Sequence, residues 1–102
     1  MEFLVTLTVT IPAGTDPTEV EQRKADEAAR AAELIETGNL LRIWTPPSDP
    51  GVWTILGLWE ADDPTELRAM LESLPLWPWI TEHTEPLGAH PNDPGRLVSG
   101  AR

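Results

Sequence analysis

Lys24 and Glu27 stand three residues apart in a stretch, residues 17–37, that otherwise reads as an amphipathic helix. Placed at about 100° per residue, Val20, Ala28, Ala31, Ala32, Leu34 and Ile35 fall on one arc. Glu19, Gln22, Arg23, Asp26, Arg30 and Glu33 fall on the opposite one, which is solvated. Lys24 lies near the middle of the apolar arc and Glu27 near its edge, so both charges are aimed at the core. Burying an unpaired charge is costly, and two arrangements avoid it. The two side chains meet as a structural ion pair over one helical turn, Lys24 lying along the alanines, or they face a cavity that something polar occupies. Ala25, Ala28, Ala29, Ala31 and Ala32 leave room for a ligand, although small residues also suit close packing of helix on sheet.

In the cavity case the chemistry is proton transfer. Desolvation raises the pKa of a carboxylate and a nearby ammonium lowers it, so the pair can be poised near neutrality. Glu27 is then the base. Lys24 either stabilises negative charge developing on a substrate oxygen or anchors a substrate carboxylate.

The elements that must position these residues follow from pattern. Phe3, Val5, Leu7, Val9 and Ile11 alternate with Leu4, Thr6, Thr8 and Thr10, the period of a strand with one apolar face. Pro12 to Pro17 breaks the strand, and Asp16 or Thr15 ahead of Pro17 predicts a helix cap with proline in the first turn. The helix runs to about Thr37, and Gly38-Asn39 supplies a left-handed stop. Leu40 to Thr45 and Val52 to Glu60 predict two strands joined by the proline-rich loop 46–51. Asp62-Asp63-Pro64 opens a second helix to about Ser73, with Leu67, Met70, Leu71 and Leu74 at helical spacing. Trp77 to Leu87 reads as the last strand, with Pro75 and Pro78 at its entry. From Gly88 onward no apolar periodicity remains, and this end reads as a tail, either disordered or held by a neighbouring subunit.

The order β-α-β-β-α-β predicts an α+β, ferredoxin-like fold in which two helices cover one face of a four-stranded antiparallel sheet. The other face then needs a dimer partner, a ligand or both, because large apolar patches are uncommon on monomers. At 102 residues the chain makes one domain, small enough that its core alone is marginal.

Composition narrows the function. Seven basic against 17 acidic residues give a net charge of −10, which repels phosphate backbones and anionic lipid; neither nucleic acid nor a membrane is an expected partner. An anionic substrate would need a local cation, which Lys24 could supply. The absence of Cys excludes thiol nucleophiles and thiolate metal cages. No basic segment followed by a long apolar run opens the chain and no uninterrupted apolar run is long enough to span a bilayer, so a cytoplasmic location is expected.

Lys24-Ala25-Asp26-Glu27, Gly38 followed by Trp44, Leu74-Pro75-Leu76-Trp77-Pro78-Trp79, and Glu85-Pro86-Leu87 leading to His90-Pro91 together resemble muconolactone isomerase. The similarity runs over residues 1–92 in order, leaving 93–102 as the C-terminal tail, and the Leu-Pro-Leu-aromatic-Pro-aromatic run is unusual. The resemblance implies a ferredoxin-like fold assembled into homo-oligomers, from dimers up to a decamer. It implies an apolar pocket near subunit contacts, no cofactor and no metal. The reaction it implies is a proton shift that turns muconolactone into the enol-lactone of 3-oxoadipate during the breakdown of aromatic compounds. Lys24 and Glu27 match the active-site positions, so the resemblance and the helix wheel select the same pair.

Departures from the family pattern affect what would hold the substrate. Thr45 stands where an Arg typically follows the residue matched by Trp44. Val52, Trp53, Thr54 and Ile55 replace a Tyr- and Asn-bearing segment, after a loop that is longer and richer in proline. Gly88 replaces a Cys that this proton shift does not require. A more apolar pocket is expected, and a bulkier enol or lactone is an alternative substrate.

Of the five Trp, Trp44 and Trp59 read as core or subunit-contact residues, while Trp53, Trp77 and Trp79 are also candidates for substrate contact. His90 is a candidate polar contact; His83 and His90 make no metal-binding spacing with Asp or Glu. No Ser-His-Asp order or glycine-rich phosphate loop occurs. Rival readings are a cyclase or lyase of a biosynthetic pathway, a cofactor-free oxygenase, and a non-catalytic binding module in which Lys24 and Glu27 are only an ion pair.

Overall fold

A computed structural model describes residues 1–95; the remainder of the proposed tail, residues 96–102, lies outside the described residues. The elements are β1 (Glu2–Val9), α1 (Pro17–Glu36), β2 (Leu40–Trp44), β3 (Trp53–Glu60), α2 (Pro64–Glu72) and β4 (Ile80–Leu87), with a single 3-10 turn at Trp77–Trp79 between α2 and β4. The strands form one sheet in the order β2-β3-β1-β4, antiparallel throughout. This is the ferredoxin-like α+β arrangement expected from the element order.

β1 is central because its alternation gives it one wholly apolar face. Phe3, Val5, Leu7 and Val9 are buried, and the first three share a core with Leu34 of α1 and with Leu67 and Leu71 of α2, which places both helices on that face. The opposite face carries Leu4, Thr6 and Thr8 beside Leu58, Leu56 and Thr54 of β3, all only partly buried.

Local chemistry fixes the helix ends. Asp16, rather than Thr15, caps α1 by accepting the Thr18 N–H at 2.7 Å, and Asp63 caps α2 by accepting the Glu66 N–H at 2.8 Å. At the far end of α1, Gly38 has φ +82° and Asn39 N–H reaches back to the Leu34 carbonyl at 3.0 Å. That is the left-handed stop the Gly-Asn pair predicted.

Trp77–Trp79 is not strand. Pro78 fixes φ in the helical range and has no N–H to offer a neighbouring strand. The segment closes on itself instead, Trp77 N–H on the Leu74 carbonyl at 2.9 Å and Trp79 N–H on the Leu76 carbonyl at 2.8 Å. β4 begins one residue later, and as an edge strand it tolerates Pro86.

A register shift in the β2–β3 ladder between Leu40 and Arg42 has a consequence for the site. Leu40 pairs with Trp59 and Ile43 with Gly57, so two β2 residues three apart reach the same sheet face. Strict alternation would have sent Ile43 to the other side.

Candidate active site

A cavity of about 200 Å³ opens between α1 and the sheet. The helix contributes Lys24, Glu27, Ala28 and Ala31; the strands contribute Leu7, Leu40, Ile43, Ile55, Gly57 and Trp59; Leu74 completes the wall. The alanines leave the space open, since any longer side chain on that face of α1 would fill it. Apart from Lys24, Glu27 and the polar edge of Trp59, the lining is apolar.

Glu27 is half-buried, and its Oε1 accepts the backbone N–H of Leu76 at 3.0 Å. Burial raises its pKa from the usual 4.5, and the Leu76 hydrogen bond partly offsets that rise by favouring the charged form. One turn earlier on the helix, Arg23 Nη1 donates to the carbonyl of Pro75 at 2.9 Å. The Pro75 carbonyl and the Leu76 N–H belong to the same peptide group, so Arg23 and Glu27 grip one amide from its two ends. The guanidinium draws electron density toward the carbonyl oxygen, which strengthens the N–H as a donor to the carboxylate. Arg23 is itself held over the Trp79 ring, 4.6 Å from its centroid. The Leu74–Trp79 run, which stood out in the sequence, therefore supplies the amide that orients Glu27.

Removing the far end of this clamp should show in the pH dependence. In Arg23→Met the Leu76 N–H donates less strongly, the carboxylate loses stabilisation, and the Glu27 pKa moves further up. Activity near neutral pH is expected to fall about fivefold, the equivalent of ~1 kcal/mol of hydrogen bonding, and the acidic limb of kcat/KM to move to higher pH. An unmoved limb would show that the clamp does not set the carboxylate.

Lys24 and Glu27 do not pair with each other. Lys24 Nζ lies 3.6 Å from Glu21 Oε1 and 5.3 Å from the centroid of the Trp53 ring. With 45% of its side chain exposed, it sits at the cavity mouth and not in the core. Its flexible stem carries the ammonium out to water while the methylenes stay on the apolar wall. Arg23 and Arg30, assigned to the solvated arc, instead reach Pro75 and the Ser73 hydroxyl. The segment after α2 runs alongside α1, giving that flank a neighbour that the wheel does not show.

The structure brings Lys24 and Glu27 to one cavity and leaves the other four candidates outside its lining. Trp53 stacks beneath Lys24 and borders a separate groove with Thr8, Val9 and Ile11. Trp77 packs against the core beneath Arg68, and Trp79 lies under Arg23. His90 is exposed beyond β4, its Nδ1 accepting the Asn92 N–H at 3.0 Å. Sequence reasoning passed over Gly57 and Trp59. A glycine inside a strand signals close approach of another group, and Gly57 and Trp59 share a strand face, so part of the signal was present.

The comparisons with known proteins bear on the family and the fold. The chain is 28% identical over 92 residues to the muconolactone Delta-isomerase of Cupriavidus pinatubonensis, spanning 90% of this chain and 97% of that one. It is 30% identical over 91 residues to the muconolactone Delta-isomerase of Rhodococcus opacus, spanning 89% and 95%. A crystal structure of muconolactone isomerase superimposes with a TM-score of 0.80 at 29% identity, covering 92% of this chain and 95% of that one. Residues 1–93 match the family model of muconolactone delta-isomerase, and the chain belongs to that family.

Proposed function

We propose that the chain is an isomerase of aromatic-compound breakdown that moves a proton within a small unsaturated lactone of the muconolactone type, with Glu27 as base and Lys24 as its electrostatic partner. The observation that carries this reading is a half-buried carboxylate of raised pKa on the wall of an apolar cavity. In an α,β-unsaturated lactone the γ C–H is acidic because its removal delocalises charge onto the carbonyl oxygen. Glu27 takes that proton, the double bond moves, and the same carboxyl group returns the proton to the α carbon. The steps are redox-neutral and restore Glu27 to its starting state.

Lys24 at the cavity mouth suits the carboxylate of such a substrate, whose approach to a chain of net charge −10 needs a local cation. A volume of about 200 Å³ lies below the ~300–1,000 Å³ of sites for drug-sized ligands. It favours a compact lactone over the bulkier substrates of a cyclase or lyase. Exposed Ile35, Leu41 and Ile43, at 56, 42 and 54%, together with the uncovered sheet face, support assembly into a homo-oligomer.

The test is to incubate the wild-type protein with muconolactone in deuterated buffer and follow the ring protons by NMR. Conversion to the enol-lactone is expected, with deuterium entering the α carbon only to the extent that the Glu27 carboxyl exchanges its proton with solvent between the two transfers. A folded protein that neither exchanges nor isomerises the lactone would refute the assignment.

A further inference from the structure

Trp59 combines burial with a hydrogen-bond donor that no group among the described residues uses. The residue is 3% exposed; among the described residues its indole nitrogen has no hydrogen-bond partner, and that atom is not sealed off in the core but keeps an accessible edge. Its surroundings explain how this is tolerated. A side chain at Gly57 would place a Cβ 2.7 Å from Trp59 Nε1 and 3.2 Å from Cδ1. The polar edge of the ring therefore lies directly over the one residue of β3 that has no side chain, and both residues line the cavity that Glu27 shares. Without Gly57 that edge would be walled in; with it, the N–H opens to whatever occupies the cavity.

We propose that the Trp59 indole N–H is a substrate-binding donor that takes the lactone carbonyl oxygen, from the sheet side of the cavity, while Glu27 works from the helix side. The proposal rests on the isomerase reading and adds a residue to it. Removing the γ proton turns the carbonyl oxygen into an enolate oxygen, so a donor fixed there binds the dienolate more tightly than the substrate. The indole keeps its own proton throughout. Lys24 is then free for the substrate's exocyclic carboxylate at the hydrated mouth, and the two donors divide the two oxygen-bearing groups between them. Trp59 is also rigid, its ring held within the core beside Leu40, so its donor needs no reorganisation as charge develops.

The test uses full-length protein labelled with ¹⁵N-tryptophan and a saturated analogue of muconolactone, which lacks the double bond and cannot isomerise. The Trp59 indole resonance is identified by its loss in Trp59→Phe. Cross-relaxation to the Gly57 α protons identifies it independently, should that variant fail to fold. On adding the analogue, the Trp59 N–H proton should move downfield further than the other indole protons. Trp59→Phe should bind the analogue, and turn over muconolactone by kcat/KM, on the order of tenfold less well. Analogue binding with the Trp59 resonance unmoved overturns the proposal, as does wild-type affinity in Trp59→Phe. A shifted Trp59 resonance in a protein that does not isomerise muconolactone would remove the assigned reaction and leave the donor in place. No response at any indole resonance would overturn the donor, and only an accompanying failure to turn over muconolactone would overturn the reaction as well.

Discussion

Glu27→Gln is expected to lower kcat/KM for muconolactone by about 10³-fold, within the ~10²–10⁴ that a positioned general base contributes, while leaving the fold intact. The amide oxygen of Gln can still accept the Leu76 N–H that Glu27 accepts at 3.0 Å, so the side chain should keep its place while losing its basicity. Stability supplies the discriminating sign. The folded-state pKa of Glu27 lies above its ordinary value because of burial. The folded protein therefore holds the proton more tightly than the unfolded chain, and stability drops as pH rises through the folded-state pKa. At pH 7 a Gln that never ionises avoids that loss, so the variant should melt at the same temperature as wild type or higher. A structural ion pair predicts the reverse, since removing one partner leaves the other without its counter-charge. Thermal melts at pH 7 beside single-turnover rates decide the matter. Near-normal rates, or a clear drop in melting temperature accounting for the lost activity, would end the case for Glu27 as base. In the wild type the acidic limb of kcat/KM should lie above pH 4.5, since only the deprotonated carboxylate can accept the substrate proton.

Gly57→Ala is expected to be far more damaging than one methyl group suggests. Gly57 is not among the glycines of positive φ, so its backbone suits any residue in a strand and the effect is purely steric. The added Cβ would sit 2.7 Å from Trp59 Nε1 and 3.6 Å from Leu40 Cδ1. Neither neighbour yields readily, because both are core residues, Trp59 at 3% and Leu40 at 5% exposure. Overpacking of this kind costs about 1–3 kcal/mol. A displaced indole also misplaces the cavity wall, where a shift of ~1 Å can cost roughly 10²-fold in rate. Adding Trp59→Ala removes the ring that clashes, so the stability losses of the two variants should be strongly non-additive, with the double variant more stable than their sum. Additive losses in urea titrations would show that Gly57 and Trp59 do not meet as described.

The framework was legible because it depends on short-range patterns. Period-2 alternation in β1 established its buried face, and Asp-Pro starts together with Gly38-Asn39 bounded the helices to within a residue or so. The site was legible only in part. The wheel located Lys24 and Glu27 around the axis but could not give the rotamer that sends Lys24 to Glu21, nor the partner of Glu27. That partner is an N–H 49 residues away, delivered by tertiary packing alone. Ile43 reaches the cavity through a register shift that strict alternation hides. Trp77–Trp79 was read as strand because three residues around a proline carry no periodicity to distinguish a turn of 3-10 helix from extended chain.

The two prolines of the Leu74–Trp79 run fall where they do no harm. Leu74, Leu76, Trp77 and Trp79 each commit their N–H: to the Leu71 carbonyl, the Glu27 carboxylate, the Leu74 carbonyl and the Leu76 carbonyl respectively. Positions 75 and 78 have no donor to commit. Proline there narrows the conformations open to the unfolded chain without removing a bond from the folded one, so much of the ordering entropy of this segment is spent before folding begins. The amide that holds the Glu27 carboxylate thus sits in the stretch of chain least able to wander. Leu76, between the two prolines, cannot itself become proline without surrendering the one N–H that holds Glu27 in place.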